Sequence, residues 1–255
     1  MGGPAFDVVH AMALKDIPKM DANESEKNSN TYLKDFIFSR VEGKEMTSGL
    51  FRMWAGPALQ YQYTYEEIKF IVEGSFILTD GTGQKVTVTK GDVVYFPKGC
   101  DVTFETEYYG LGCFTGQRKE GEEDTGEDVT ELASTAKFTV HKQITNKMLT
   151  KMTANESEKE SETYLDDIVT SPIEGKSMVS GLFRMMAGKP LQYCYDYEEI
   201  KYIVEGSFIL TDGTGQKVQV FAGDIVHFPD GCDVTFETPY YALGCFCGQR
   251  KWGEA

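Results

Sequence analysis

Apolar and polar side chains alternate along most of the chain with a period of two residues. In GLFRMWAG, residues 49–56, Phe51 and Met53 fall on one strand face and Arg52 falls on the other. The segment YQYTY at residues 61–65 alternates strictly, and the turn sequence DGTG joins two runs rich in β-branched residues. Such alternation is typical of half-buried strands, and DGTG between two of them predicts a hairpin. Since no window sustains the 3.6-residue period of a helix, we predict an all-β sandwich or barrel of short strands.

The same pattern occurs twice in the chain. KMDANESEK at Lys19–Lys27 returns as KMTANESEK at Lys151–Lys159, and the offset of 132 residues holds without a gap as far as Arg118. About three quarters of the paired positions are identical, and a period this long indicates a duplicated domain rather than a solenoid. We therefore predict an N-terminal domain with an N-terminal arm at residues 1–118, an acidic linker at 119–136 and a C-terminal domain at 137–255.

The composition and net charge of the chain exclude some classes of binding partner. The chain has 255 residues, 41% of them apolar, and a net charge of -15. An acidic surface repels nucleic acid phosphates and anionic lipids, and no stretch approaches the roughly 20 apolar residues that span a bilayer. We predict no nucleic acid or membrane partner and, without a secretory signal pattern, a soluble cytoplasmic protein. The six cysteines do not repeat as pairs between the copies, which favours free thiols over a disulfide framework.

Residues in both copies resemble the two sequence motifs of the cupin superfamily. Glu67 followed by Gly74 resembles the end of the first motif, and Gly91-Asp92 followed by Pro97-Lys98-Gly99 resembles the second. The form YxYxYEEI is similar to the cupins of the ethanolamine utilisation protein Q (EutQ) group. The resemblance implies two tandem jelly-roll β-barrels, a bicupin, whose cupin domains pair within the chain as single-domain cupins do in their dimers. It leaves a monomer, a homodimer and a higher assembly open.

The sequence departs from the cupins at the positions of their metal ligands. Cupins hold a metal with His-x-His-x-x-x-Glu in the first motif and a further His after the second. Phenols bind metals well only after losing a proton with an ordinary pKa of about 10. None of the three histidines occupies these positions, which are Tyr61, Tyr63, Glu67 and Val102 in the first copy and Tyr193, Tyr195, Glu199 and Val234 in the second. We therefore predict no cofactor and no histidine metal site.

Four polar residues of the first motif share one strand parity. These residues are Tyr61, Tyr63, Glu67 and Lys69, which are repeated as Tyr193, Tyr195, Glu199 and Lys201. If the cupin geometry holds, all four side chains of each copy point into the barrel. A carboxylate and an amine beside phenols in a cavity form a candidate acid–base device. A phenol would donate to a developing oxyanion while the glutamate or the lysine moves the proton. The pattern predicts a small-molecule enzyme of the lyase or isomerase type.

Arginines and glutamines supply candidate ligand contacts. Arg52 and Arg184 lie between apolar neighbours and are candidate partners of a ligand carboxylate, although pairing with a resident glutamate explains them equally well. Gln60 and Gln192 are candidate hydrogen-bonding residues of the same pocket, or simply the first residues of a strand. The implied partner is a small molecule, with carboxylates as one candidate class.

The same residues support two competing interpretations. A Glu–Lys pair on a strand is often a structural ion pair, and a parity slip at Tyr65 would turn Lys69 outward. The pocket could also hold a ligand without turning it over, or the chain could act as a scaffold. The adjacent Glu66 and Glu198 have the opposite parity, so we expect them to face solvent.

Overall fold

A computed structural model describes residues 3–39, 41–122, 135–171, 173 and 177–254. These residues form strands, two short α-helices (α1 Glu24–Asn28, α2 Glu156–Glu160) and two 3-10 turns (Met12–Leu14, Ile144–Asn146). The strands are β1 Asp7–Val9, β2 Thr31–Ser39, β3 Met46–Trp54, β4 Leu59–Gln62, β5 Glu67–Asp80, β6 Lys85–Thr89, β7 Val93–Phe96, β8 Asp101–Glu105, β9 Tyr109–Gly116, β10 Thr139–His141, β11 Thr163–Ser171, β12 Met178–Met186, β13 Leu191–Cys194, β14 Glu199–Asp212, β15 Lys217–Phe221, β16 Ile225–Phe228, β17 Asp233–Glu237 and β18 Tyr241–Gly248. Most of the predicted linker at 119–136 lies outside the described residues.

Each copy of the repeat folds into one antiparallel barrel, to which the segment before the other copy adds one strand. The first barrel has the strand order β10-β7-β5-β9-β3-β2, and the second has the equivalent order β1-β16-β14-β18-β12-β11. The long strand β5 pairs with β7 and β9 along its first half and with β6 and β8 along its second half, and β8 also pairs with β4. A strand shared between two sheets in this way closes them around a common core. The predicted all-β fold of two tandem barrels is confirmed.

Aromatic side chains fill the interior of each barrel. Strand alternation turns Phe51 and Met53 inward, as the sequence pattern predicted, where they pack with other fully buried rings. These rings are Phe76, Phe96, Phe104 and Phe114 in the first barrel, with Phe208, Phe228, Phe236 and Phe246 at the equivalent positions of the second. Such rings bury large apolar areas, and each barrel has a separate hydrophobic core, which includes Phe138 in the first barrel and Phe6 in the second.

The predicted hairpin joins β5 to β6. Asp80 Oδ1 accepts hydrogen bonds from the backbone N–H groups of Thr82 and Gln84, both at 3.0 Å. Gly83 has a φ of +86°, a conformation that glycine adopts without steric cost. The DGTG sequence is therefore a turn whose aspartate side chain replaces missing backbone hydrogen bonds.

The segment before each barrel packs on the barrel of the other copy. The compact units are residues 16–146, and residues 1–15 together with 147–255. β1 pairs with β16 in the register Asp7↔His227, and β10 pairs with β7 in the register Thr139↔Tyr95. We refer to these two segments as the arms. They lie 132 residues apart, at equivalent positions of the repeat, and each packs on the barrel of the other copy. The compact units therefore differ from the contiguous domains drawn at 1–118 and 137–255, because local patterns do not reveal which barrel an arm joins.

The aspartate of each Gly-Asp turn anchors an arm. Asp92 accepts a hydrogen bond from the Gln143 backbone N–H at 2.8 Å and pairs with Lys142 at 2.9 Å. Burial raises the pKa of Asp92, but the hydrogen bonds from Lys142 and from the backbone outweigh it and hold the pKa below its ordinary value. In the second barrel Asp224 accepts from the Ala11 backbone N–H at 2.7 Å. Both arms are thus fixed to a buried carboxylate.

The helices α1 and α2 have five residues each. Within the described ranges, no helix combines the length and the apolar composition that crossing a membrane requires. All six cysteines are free thiols, as predicted, and only Cys194 is exposed.

Candidate functional site

The candidate site forms where the chain passes from β4 to β5. β4 ends at Gln62 and β5 begins at Glu67, and the irregular residues between them are held by a backbone bond from Tyr63 N to the carbonyl of Cys100 at 2.9 Å. Because this segment curves, Tyr65 joins the other tyrosines around the first residue of β5. The second barrel repeats the arrangement between β13 and β14.

In the first barrel a buried carboxylate binds a lysine and two phenols. Lys69 Nζ lies 2.8 Å from Glu67 Oε1, and Tyr63 Oη donates to the same oxygen at 3.1 Å. Tyr65 Oη donates to Glu67 Oε2 at 3.4 Å, and the hydroxyls of Tyr61 and Tyr65 are 3.0 Å apart. Glu67 and Lys69 are 1% and 3% exposed. We refer to Glu67–Lys69 and its equivalent Glu199–Lys201 as the carboxylate–lysine pairs.

The second barrel carries the same hydrogen bonds. Lys201 Nζ lies 2.6 Å from Glu199 Oε1, to which Tyr195 Oη donates at 2.9 Å. Tyr197 Oη donates to Glu199 Oε2 at 3.4 Å, and the hydroxyls of Tyr193 and Tyr197 are 3.1 Å apart. The structure therefore brings together the predicted tyrosine, glutamate and lysine residues inside each barrel.

Aromatic rings surround each ammonium group. Lys69 Nζ lies 4.6 Å from the ring centroid of Phe51 and between 5.3 and 5.6 Å from three further rings, those of Phe96, Phe104 and Phe114. Lys201 Nζ lies 4.9 to 5.9 Å from the centroids of three rings, those of Phe183, Phe228 and Phe246. A ring within about 6 Å attracts a cation, most strongly where water is excluded. The ammonium is thus stabilised by the carboxylate and by the aromatic wall together.

Glycines on β9 provide the space for these side chains. A Cβ on Gly112 would lie 2.8 Å from Lys69 Cγ, and a Cβ on Gly116 would lie 2.8 Å from a ring carbon of Tyr65. In the second barrel a Cβ on Gly244 would meet the lysine stem at 2.8 Å. Carbon atoms in van der Waals contact are about 3.5–4.0 Å apart, so these positions exclude any side chain. Gly112, Gly116 and Gly244 are therefore part of the two sites.

Burial keeps the phenols protonated. Loss of water raises the pKa of Tyr63 well above its ordinary value of 10.0, and the Glu67 carboxylate raises it further. In the second barrel burial raises the pKa of Tyr193 to about 12 and also raises that of Tyr195 well above 10.0. At neutral pH these phenols are hydrogen-bond donors rather than phenolates.

Sequence reasoning missed four residues of the site, namely Tyr65, Arg118, Tyr197 and Arg250. Arg118 forms a bidentate salt bridge with Asp35, at 2.7 and 2.5 Å, and its guanidinium lies 5.4 Å from the ring centroid of Tyr65. The available signals were that Tyr65 shares the parity of Tyr61 and that Arg118 is the last residue of the gap-free repeat.

A small cavity of about 20 Å³ lies against the pair in the second barrel. It is lined by polar side chains, namely Tyr193, Tyr195, Tyr197, Glu199 and Lys201, and by apolar side chains, namely Met152, Leu165, Phe183, Leu191 and Phe236. A cavity of this size accommodates about one water molecule. A larger ligand therefore requires some of the wall to move.

The four predicted ligand-binding residues lie outside this cluster. Arg52 hydrogen-bonds Tyr109 and lies on the face of β3 opposite to the inward Phe51. Arg184 donates to a backbone carbonyl, that of Lys147, at 3.2 Å. The other two residues, Gln60 and Gln192, are exposed.

Glu66 and Glu198 are buried, so the prediction that they face solvent is wrong. Glu66 accepts hydrogen bonds from the Tyr95 hydroxyl and, at 3.0 Å, from the Lys98 backbone N–H. Glu198 Oε2 lies 2.6 Å from Nε2 of His227. Strand parity indicated correctly that these carboxylates point away from the pairs, but it could not indicate that residues about 30 positions later would cover them.

The donors at the cupin metal positions do not fit a metal ion. The Glu67 carboxylate already binds the Lys69 ammonium, and the phenols beside it hold their protons. Across the part of the chain that the structure describes, no three His, Cys, Asp or Glu side chains form a cluster that could hold a metal. The donor chemistry thus disagrees with the metal that a cupin resemblance implies, and we assign no step to one.

Comparisons with known proteins identify a family and a fold. A family model described as ethanolamine utilisation protein EutQ matches residues 6–111 and 116–247. No curated protein sequence matches the chain.

Three solved structures illustrate the likeness in fold. A putative glyoxylate-induced protein from Pseudomonas aeruginosa has a TM-score of 0.71 at 15% identity, covering 97% of this chain and 90% of its own. A cupin 2 conserved barrel domain protein from Leptotrichia buccalis has a TM-score of 0.63 at 8% identity, covering 96% of both chains. A tryptophan-to-tyrosine variant of oxalate decarboxylase from Bacillus subtilis has a TM-score of 0.63 at 12% identity, covering 97% of this chain and 78% of its own. At such identities the likeness concerns the bicupin fold alone.

Proposed function

Because the chain belongs to the family of ethanolamine utilisation protein EutQ and folds as two cupin barrels, we propose that each barrel holds an acid–base site for a small organic ligand. The observation that supports this most directly is the carboxylate–lysine pair with its converging phenols, present in both barrels with similar distances. Titratable groups held together out of water are typical of sites that move protons.

The proposed reaction begins with removal of a proton from a carbon beside a carbonyl group. Glu67 takes the proton, and the electrons of the broken C–H bond move to the carbonyl oxygen. Lys69 and Tyr63 donate hydrogen bonds to the enolate oxygen that results. When a double bond is conjugated with the enolate, return of the proton to the far carbon of that double bond gives an isomer. When the next carbon carries a leaving group, the carbonyl re-forms, a carbon–carbon double bond forms and the group departs with its bonding electrons, which gives an elimination product. Neither outcome requires an oxidant or a reductant.

The net charge of the site favours a ligand that carries no charge of its own. The charges of Glu67 and Lys69 cancel, and so do those of Asp35 and Arg118 beside the phenols. A carboxylate ligand would add an unpaired charge to a buried site, which costs several kcal/mol unless it takes up a proton. We therefore propose a small ketone, aldehyde or neutral carboxylic acid as the ligand class.

The test measures the first step without knowledge of the substrate. Each member of a panel of small ketones and aldehydes is incubated with the protein in deuterated water, and loss of the proton beside the carbonyl is followed by NMR. We expect Glu67→Gln with Glu199→Gln to lower the exchange rate about 100-fold, the size of a general-base contribution. The matched control is Glu105→Gln with Glu237→Gln, which changes the exposed pairs with Lys85 and Lys217. Equal rates in both double variants would refute the assignment of the base.

The small size of the cavity favours a second candidate function. A space of about 20 Å³ is also what a closed, non-catalytic binding or scaffold bicupin would contain. A scaffold predicts that no compound of a metabolite library raises the melting temperature, whereas either kind of ligand site predicts at least one stabilising compound. Proton exchange then separates an enzyme from a binding module.

A further inference from the structure

A repeated motif outside the carboxylate–lysine pairs covers each barrel. KMTANESEK at Lys151–Lys159 differs at one position from KMDANESEK at Lys19–Lys27, and we refer to these two segments as the straps. Each strap contains a short helix with an asparagine cap. Most strap residues are exposed, but Met152 is half-buried and lines the small cavity of the second barrel. Met20 is half-buried against the core of the first barrel in the same way.

The strap of the second barrel is attached near both ends. Near its start, the backbone N–H of Met152 donates to the carbonyl of Thr163 at 3.0 Å. Farther along, the hydroxyl of Ser157 accepts from the backbone N–H of Gln192 at 2.7 Å. The equivalent serine of the first strap makes the same bond at 2.7 Å. The strap therefore connects β11 to β13, immediately beside the phenols.

The side chain under the strap is suited to moving. Methionine has three rotatable bonds and adapts to irregular spaces. Met152 and Leu165 line the same cavity as Glu199 and Lys201. Rotation of one thioether side chain would enlarge the cavity without breaking any hydrogen bond of the carboxylate–lysine pair.

We infer that the straps close the mouths of the two barrels and that Met20 and Met152 determine which molecules reach the carboxylate–lysine pairs. A ligand places its polar carbonyl group at the pair, and its short apolar body occupies the space that the methionine side chain vacates. The access route through the straps does not depend on the proposed function, whereas the reaction of the ligand at the pair rests on that proposal.

Labelling of the buried lysines tests the access route. The full chain is treated with formaldehyde and a mild borane reductant, and dimethylation of each lysine is followed by mass spectrometry. We expect Met152→Ala to accelerate labelling of Lys201 about ten-fold while leaving Lys69 unchanged, since only the local barrier to access changes. Met20→Ala should do the reverse. Met148→Ala is the matched control, because Met148 is 93% exposed.

Two results would overturn the inference. One is an unchanged labelling rate of Lys201 in Met152→Ala, and the other is equal acceleration of both lysines in either variant. If Met152→Ala fails to fold, Ser157→Ala removes one attachment of the strap and should still accelerate Lys201 selectively. An unchanged rate in that variant is equally contradictory.

The fate of the ligand has its own readout. Proton exchange of 3-methylbutan-2-one should increase in the variant with both Met20→Ala and Met152→Ala, while that of acetone, which lacks the branched apolar body, should change little. Selective lysine labelling without exchange of either ketone would mean that the acid–base function is wrong and the access route correct. A proton exchange rate that is the same with and without the two methionines would mean that the acid–base function is correct and the access route wrong.

Discussion

Lys201→Met should destabilise the unit that contains the second barrel. The substitution keeps an unbranched side chain in the aromatic surroundings and removes only the charge, leaving Glu199 buried with two phenol donors. Removing one partner of a buried ion pair costs about 3–5 kcal/mol. Because both carboxylate oxygens keep a hydrogen bond, we expect the lower end, about 3 kcal/mol, which lowers the melting temperature of a small domain by about 10 °C.

Guanidinium unfolding followed by circular dichroism measures this loss of stability. Two further variants test whether the unpaired carboxylate is its cause. Glu199→Gln combined with Lys201→Met removes the unpaired charge and should recover most of the stability. Lys217→Met breaks the exposed pair with Glu237, at 3.3 Å, and should change stability by less than about 0.5 kcal/mol. A double variant no more stable than Lys201→Met alone would refute the reasoning, because the carboxylate would then not be the source of the loss.

Three other outcomes follow from the structure. Gly244→Ala should cost about 1–3 kcal/mol in denaturant unfolding, because its Cβ would lie 2.8 Å from the Lys201 stem; unchanged stability would show that the lysine stem can move aside. Phe6 is buried in the core of the second barrel and Phe138 in that of the first. Phe6→Ala should therefore destabilise the second barrel and Phe138→Ala the first, each by about 3–5 kcal/mol, and amide hydrogen exchange that rises equally in both units would contradict the packing of each arm on the barrel of the other copy. Above about pH 10, where tyrosines of the unfolded chain ionise, stability should fall, because burial raises the pKa values of the folded phenols. The folded state holds these protons more tightly, so its advantage is complete below that pH and is lost as the pH rises. Ionisation of Tyr63 or Tyr195 in the still folded chain, followed by NMR of these buried rings, would contradict this.

Local periodicity was sufficient to place the chemistry of the first motif in one region. Parity put Glu67 and Lys69 on the same face, and that face turned out to be the barrel interior. Tyr65 has the same parity but lies in the irregular segment between two strands, where alternation no longer determines direction. Its position became clear only from its bond to Glu67 in the folded chain.

Long-range topology could not be read from the sequence pattern. The two arms share few residues, among them Phe6 with Phe138 and Val8 with Val140, and either barrel offers an aspartate to receive an arm. Which aspartate an arm reaches depends on the path of the chain outside the strands, and this leaves no periodic signal. The burial of Glu66 has the same origin, since its partner Tyr95 comes from another strand.

Comparison of the two copies within this chain bears on whether the carboxylate–lysine pairs have a role beyond stability. Replacing a buried ion pair by apolar residues of similar volume is often neutral or stabilising by about 1–4 kcal/mol. The copies differ at about a quarter of their positions, including Tyr95 against His227 and Gln62 against Cys194 close to the barrels. Yet both keep the same carboxylate, ammonium and phenols with the same bonds. If packing alone were required, an aliphatic pair would serve each barrel as well, so the charges kept in both copies support the proposed acid–base site.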